Sequence, residues 1–206
     1  MHVRSTILDT QPALVNTAVA LVRDRVLPLA DRLDGGHGTT MLVNRATGRT
    51  VTSTMWGTRD ALEASAVPLG QVRAEVAAVL RTVPLVEEWE LAELYRTRRP
   101  QVGFASRSTR LEYDPADAEQ LVDVFRTTAV PSLALIDGFA SAALLIDLDR
   151  GAGVTLVTFA DRQSLEDSRR ASAEIRRTTV EKAHAWTTEV VEADLVIAAT
   201  HVPDQA

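Results

Sequence analysis

Apolar residues along this chain alternate between two spacings. Val15, Ala18, Val19, Val22, Val26, Leu29 and Leu33 recur every three or four positions, with Arg23, Asp24, Arg25 and Asp31 off that stripe. This predicts an amphipathic helix that opens at Pro12 and closes at Asp34-Gly35, where glycine adopts the left-handed conformation. Pro28 lies inside the stripe and, lacking an N–H, should kink the helix or shift its last turn. Short β-branched runs surround this helix. Val3–Asp9 precedes it, and Thr39–Asn44 and Arg49–Trp56 follow as two strands joined by a turn at Ala46-Thr47-Gly48. A second helix starts near Arg59, and Pro68 and Gly70 predict its division into Asp60–Ala66 and Leu69–Leu80. Leu85–Leu94 reads as a long last strand.

The same order then repeats. Arg4-Ser5-Thr6 falls on Arg107-Ser108-Thr109, an offset of 103, and the register carries Pro12 onto Pro115, Pro28 onto Pro131, Asp34-Gly35 onto Asp137-Gly138, Gly48 onto Gly151 and Arg73 onto Arg176. One residue of slippage places Glu88 and Glu90 on Glu192 and Asp194. The second copy predicts strands Ala140–Asp147, Gly153–Phe159 and Thr188–Ala199, and an unbroken second helix from Ser164 to Ala183. The joint is Tyr95–Gly103, whose charges, proline and glycine mark an exposed connector. The expected domains are therefore 1–94, a connector at 95–104, and 105–206.

Strand, helix, strand, strand, helix, strand is the ferredoxin-like plan, with both helices on one face of an antiparallel sheet. The other face still carries Val, Leu, Ile and Ala. An α+β fold is expected, in which two tandem ferredoxin-like βαββαβ repeats pack sheet to sheet as an intrachain pseudo-dimeric α+β barrel.

Composition narrows the function. The 206 residues carry 22 basic and 28 acidic side chains, net −6, which disfavours nucleic acid, because that needs a clustered positive face. The absence of cysteine excludes disulfides, thiolate catalysis and thiolate-ligated metals. No apolar run approaches the roughly 18 residues of a membrane span, and the start MHVRSTILD lacks a signal-peptide pattern, so the cytoplasm is the expected compartment. No GxSxG, P-loop, Rossmann or HExxH motif is present.

The order of elements, the Asp-Gly after each first helix, the aromatics closing the third strands (Trp56, Phe159) and the long last strands resemble the dimeric α+β barrel superfamily, which includes the antibiotic-biosynthesis-monooxygenase domains. VEEWELAEL (86–94) and LALIDGFASAALLID (133–147) resemble, more closely, a group of two-repeat actinobacterial proteins without an established activity. The resemblance implies a ligand pocket between sheet and helices and, in some members, oxygenation without metal or flavin. Its haem-degrading branch has an Asn on the first strand and a His about ten residues after the third-strand Trp. Here neither first strand has an Asn, and Ala66 and Arg169 stand where that His would be, which argues against haem degradation.

Two readings follow: a small-molecule-binding or structural barrel protein without chemistry of its own, or a cofactor-independent monooxygenase-like enzyme acting on a hydrophobic or aromatic molecule in a helix–sheet cleft. The expected partners are a hydrophobic small molecule, with room for self-association. No cofactor and no metal are expected, since His2, His37, His184 and His201 form no HxxH or HxxxH pair. The glycine-rich 35–38 loop reads first as closing the helix and permitting a sharp turn, and His37 within it is the candidate for acid–base work. Trp56 is either a core aromatic or a pocket wall, with Arg59 beside it as the rim cation. Arg4 and Arg107 on the first strands face Glu88 or Glu90 and Glu192 or Asp194 on the last. They form cross-strand ion pairs or hold an anionic ligand. Arg73 and Arg176 read as solvated helix residues.

Overall fold

Burial alternates strictly along Arg49–Trp56, with Thr50, Thr52, Thr54 and Trp56 turned inward and their neighbours half-buried. That period of two is what an extended strand with one covered face produces. The computed structural model describes residues 1–200 and contains eight strands in this range: β1 His2–Asp9, β2 Gly36–Asn44, β3 Arg49–Trp56, β4 Leu85–Arg96, β5 Ala105–Tyr113, β6 Phe139–Asp147, β7 Ala152–Phe159 and β8 Ala185–Thr200. His201 lies outside the described residues.

The chain divides into two units. The first comprises Met1–Trp89 and, from the last strand, the residues beginning at Ala193; the second comprises Glu90–Glu192. In the first unit the hydrogen-bonded strand order is β4–β1–β3–β2–β8, and in the second it is β8–β5–β7–β6–β4. β1 and β2 both flank β3 antiparallel, with Arg4 opposite Thr54 and Thr39 opposite the same residue. β5 and β6 flank β7 likewise, with Arg107 and Ala142 both opposite Val157. Each long last strand thus contributes its two ends to different units: 85–89 of β4 belong to the first and 90–96 to the second, where they pair with β6.

The first helical segments, α1 (12–30) and α4 (115–133), begin with prolines and contain wide turns at Val22–Val26 and Phe125–Ala129. There the Leu27 N–H donates to the Val22 carbonyl and the Val130 N–H to the Phe125 carbonyl, five residues back. The expected distortion at Pro28 and Pro131 therefore takes the form of a π-turn, which absorbs the missing proline donor while keeping one apolar face inward. Both segments end earlier than the stripe suggested, at Ala30 and Leu133, and turns lead on to Gly35 and Gly138. These two glycines hold φ +77, and a Cβ on Gly35 would lie 2.7 Å from that of Ala61.

The second helices differ from expectation. The first copy consists of α2 Arg59–Ala64 and α3 Ala66–Leu80, divided at Ser65 rather than around Pro68. The second copy, expected to be continuous, consists of α5 Arg162–Asp167 and α6 Arg169–Lys182, divided at Ser168. Pro68 sits in the opening turn of α3, where an N–H has no intrahelical acceptor and its loss is harmless. The true break occupies the same place in both copies. Thr58 and Asp161 cap α2 and α5 by accepting the N–H groups of Ala61 and Ser164.

Each unit has an apolar core under its helices. In the first, Leu8, Val15, Ala18, Val22, Met41 and Val43 pack with Val76 and Leu80, next to a cluster of Ala30, Trp56, Leu62 and Leu69. In the second, Leu111, Leu121, Phe125, Leu144, Phe159 and Leu165 form the centre of a single larger cluster.

Candidate functional site

The break in each second helix is explained by an arginine. Arg4, 3% exposed on β1, donates from Nε (2.9 Å) and Nη2 (2.7 Å) to Glu88 Oε1, from Nη1 to Ser65 Oγ (2.6 Å) and from Nη2 to the Leu62 carbonyl (2.9 Å). Arg107, 4% exposed on β5, repeats every one of these bonds: to Glu192 Oε1 from Nε (3.1 Å) and Nη2 (2.8 Å), to Ser168 Oγ (3.1 Å) and to the Leu165 carbonyl (2.9 Å). Ser65 Oγ and Ser168 Oγ donate in turn to Leu62 and Leu165. A carbonyl that accepts from a serine hydroxyl and a guanidinium is drawn away from the next turn of its own helix, and the helix restarts one residue later.

The first-to-last-strand ion pairs predicted from spacing are thus present, with Glu88 and Glu192 as the partners. Four of the five N–H donors of each guanidinium meet protein acceptors in these bonds, so most of each arginine's capacity serves the fold. Glu192 is the more crowded carboxylate. Arg169 donates to it from Nε (3.2 Å) and Nη2 (2.7 Å), and Arg162 Nη1 stands 3.8 Å away. The Arg169 hydrogen bond, opposed by burial and reinforced by Arg107, holds the Glu192 pKa down at about 2.

Trp56 is fully buried, packed with Ala30, Leu62 and Leu69, and its Nε1–H donates to Thr54 Oγ1 at 3.1 Å. His37 is half-buried, with its imidazole over Gly57, where a Cβ would lie 2.8 Å from Nε2. Arg59 is exposed and donates to Glu63 at 3.0 Å, one helical turn on. The Gly57 N–H donates to the Gly35 carbonyl (2.9 Å), which fixes this end of β3 against the glycine loop. His184, at the other end of the chain, stands 3.5 Å from Asp117. Among the described residues, no three His, Asp or Glu side chains gather as metal ligands.

Two concavities among the described residues lie elsewhere, one under the helices of each unit. The first, about 30 Å³, is bounded by Thr6, Val22, Thr52, Leu69, Arg73 and Val76. The second, about 40 Å³, is bounded by Arg107, Phe125, Leu133, Val157, Ser172, Ile175, Arg176 and Thr179. They are the same cleft in two copies, because Thr6, Val22, Leu69, Arg73 and Val76 stand 103 positions before Thr109, Phe125, Ser172, Arg176 and Thr179. His37, Trp56 and Arg59 border neither. Of the tentative ligand residues, Arg107 reaches the wall of one of these two clefts, and Arg4 borders neither.

Two features of these clefts were not evident from motifs. Arg73 and Arg176, read as solvated, are half-buried against the cavities; burial first and the neighbouring Arg4 or Arg107 second lower the pKa of each. Ser172, 5% exposed, has a hydroxyl with no hydrogen-bond partner. Aligning the chain with itself carries the missed signal: Ser172 and Thr179 replace Leu69 and Val76 on an otherwise apolar face.

No family model matches the chain. Among solved structures, it is similar to a putative monooxygenase from Lactobacillus acidophilus NCFM (TM-score 0.67, 13% identity, 97% of this chain and 96% of that one). It is also similar to an anthrone oxidase-like protein (TM-score 0.68, 14% identity, 100% and 95%). A third likeness is to the heme-degrading enzyme LmHde from Listeria monocytogenes (TM-score 0.52, 10% identity, 94% and 99%). At these identities the likeness shows the fold, which is that of the dimeric α+β barrel proteins related to antibiotic-biosynthesis monooxygenases. In sequence the chain is 30% identical over 204 residues to the uncharacterized protein Rv2557 of Mycobacterium tuberculosis (strain ATCC 25618 / H37Rv), covering 99% of this chain and 91% of the relative. It is 32% identical over 205 residues to Rv2558 of the same strain, covering 99% and 87%. The chain therefore belongs to the family of these two mycobacterial proteins.

Proposed function

We propose that this protein binds a small, largely apolar molecule in the helix–sheet cleft of its second unit. The supporting observation is a cavity of about 40 Å³ walled by Phe125, Leu133, Val157 and Ile175, into which a few polar groups converge. Its size suits a small molecule or the apolar end of a larger one, since pockets for drug-sized ligands run to roughly 300–1,000 Å³. The solved neighbours described as monooxygenases or as heme-degrading share the fold with this chain, and a shared fold does not carry their chemistry across. Binding is therefore the function assigned, and Arg107 is a wall of the site as well as an anchor of the fold.

The test is a screen of small apolar and aromatic molecules by thermal denaturation and backbone NMR. A ligand should raise the melting temperature and move the resonances of residues lining the second cleft, and Ala129→Phe, which fills that cleft, should abolish the effect. Ligands that shift only residues elsewhere, or that bind the Ala129→Phe variant as tightly, would refute the assignment.

A further inference from the structure

We propose that the occupant of the second cleft is a small monocarboxylate, its anionic end held by Arg176 and Ser172 and its tail laid against Phe125 and Ile175. This rests on reading that cleft as the binding site and adds the ligand's charge.

Two arginines reach the cleft wall, Arg107 and Arg176, and the first has a carboxylate partner. Arg107, Arg162 and Arg169 all converge on the single carboxylate of Glu192, at 2.8, 3.8 and 2.7 Å, and Arg169 also stands 3.7 Å from Glu166. Arg176 remains. It is half-buried on the cleft wall and makes no hydrogen bond or ion pair with any described residue; the charge acting on it most strongly is that of Arg107. A half-buried cation without a protein partner gives up part of its hydration, and an incoming anion compensates it. The first unit handles the same arginine differently. There Arg73 Nε donates to Thr6 Oγ1 at 3.0 Å, and Glu88 offsets its charge.

The hydroxyl of Ser172 is the second, independent pointer. Ser172 lies one turn before Arg176 on α6 and so on the same face, borders the cavity, and is buried with its oxygen unpaired. A serine on a helix ordinarily bonds back to the preceding turn, as Thr179 does to the Ile175 carbonyl at 2.7 Å. Ser172 Oγ does not, and an acceptor in the cavity would satisfy it. The first unit has Leu69 in that place.

One fork-shaped cation and one hydroxyl match a carboxylate, which takes a guanidinium through two oxygens. A phosphate dianion would call for more donors than this mostly apolar wall supplies, and a cavity of about 40 Å³ limits the tail to a few carbons. The test compares butyrate with its uncharged isostere butyramide by calorimetry and NMR on the full chain, with inorganic phosphate as a third probe. Butyrate should shift the resonances of α6 around Ser172 and Arg176 and bind at least roughly tenfold more tightly than butyramide, the difference expected for a charge-assisted hydrogen bond. Arg176→Gln should remove most of that preference while leaving the melting temperature of the free protein unchanged or raised, and Arg176→Lys should restore part of it. Equal binding of butyrate and butyramide at the cleft would overturn the carboxylate and leave the cleft as an apolar site, and tighter binding of phosphate would overturn it in favour of a more highly charged anion. No response of α6 to butyrate would overturn the carboxylate reading alone, because the screen of apolar molecules against Ala129→Phe decides the cleft as a binding site separately.

Discussion

A guanidinium with nearly all its donors engaged inside a protein ties together the several backbone segments it bonds, and Arg107 illustrates the consequence. Arg107→Met would remove four hydrogen bonds, leave the Leu165 carbonyl to Ser168 alone and leave Glu192 Oε1 to Arg169 Nε. We expect a loss of roughly 3 kcal/mol in urea unfolding, since breaking one side of a buried charged network is far costlier than losing a surface pair. Ser168→Ala should cost less, about 1 kcal/mol, because it deletes one link only. The carboxylate makes the network sensitive to acid. Glu192 stays ionised in the folded protein down to about pH 2, whereas in the unfolded chain it takes up its proton near the ordinary value of 4.5. Between these values the unfolded chain binds the extra proton, so stability falls as pH drops from 4.5 towards 2, and the contribution is complete above 4.5. Glu192→Gln should be less stable than the parent at pH 6, and the gap should narrow across that window; a constant gap would show that the ion pair does not set the acid limb.

At the level of elements, what the sequence made legible is what local chemistry controls. The apolar stripe of α1, the prolines within it and the Asp-Gly after it each act through nearby backbone, and helix, π-turn and left-handed glycine all appear where these residues require them. Gly138 illustrates this: at φ +77, a Cβ there would collide with the Ser164 side chain. Gly138→Ala should lose at least the roughly 1–2 kcal/mol of a left-handed non-glycine residue, with the collision added. Gly103 provides the comparison, because it holds φ +97 with nothing within 4 Å, so Gly103→Ala should show the backbone cost alone in the same thermal melts. The breaks at Ser65 and Ser168 were illegible for the opposite reason. They are set by an arginine 61 residues away in the chain, and no local pattern on the helix announces it. Proline was the natural suspect, but in an opening turn it costs nothing. The candidate site was legible only in part: the Arg4 and Arg107 ion pairs followed from strand spacing, whereas the half-burial of Arg176 depends on how α6 lies over β5 and β7.

For the molecule as a whole, the duplication supplies an internal control. Both units keep the arginine, serine, leucine-carbonyl and glutamate arrangement, so that arrangement belongs to the architecture. The clefts have diverged, from Leu69 and Val76 in one to Ser172 and Thr179 in the other, and this divergence is where a function separable from folding would reside. Two consequences can be measured together. Saturating butyrate should load one site per chain rather than two, because Arg73 is already engaged by Thr6 and balanced by Glu88. Ser172→Ala should then do two things at once. It should stabilise the free protein by about 1 kcal/mol, since an unpaired buried hydroxyl is a net cost, and it should weaken butyrate several-fold. The reciprocal change, Leu69→Ser, should lower stability by roughly 2–5 kcal/mol, the range for truncating a buried leucine, without creating a second site. If Ser172→Ala instead destabilised the protein and left binding intact, the hydroxyl would be part of the architecture after all, and the difference between the two clefts would reflect drift in packing rather than a ligand.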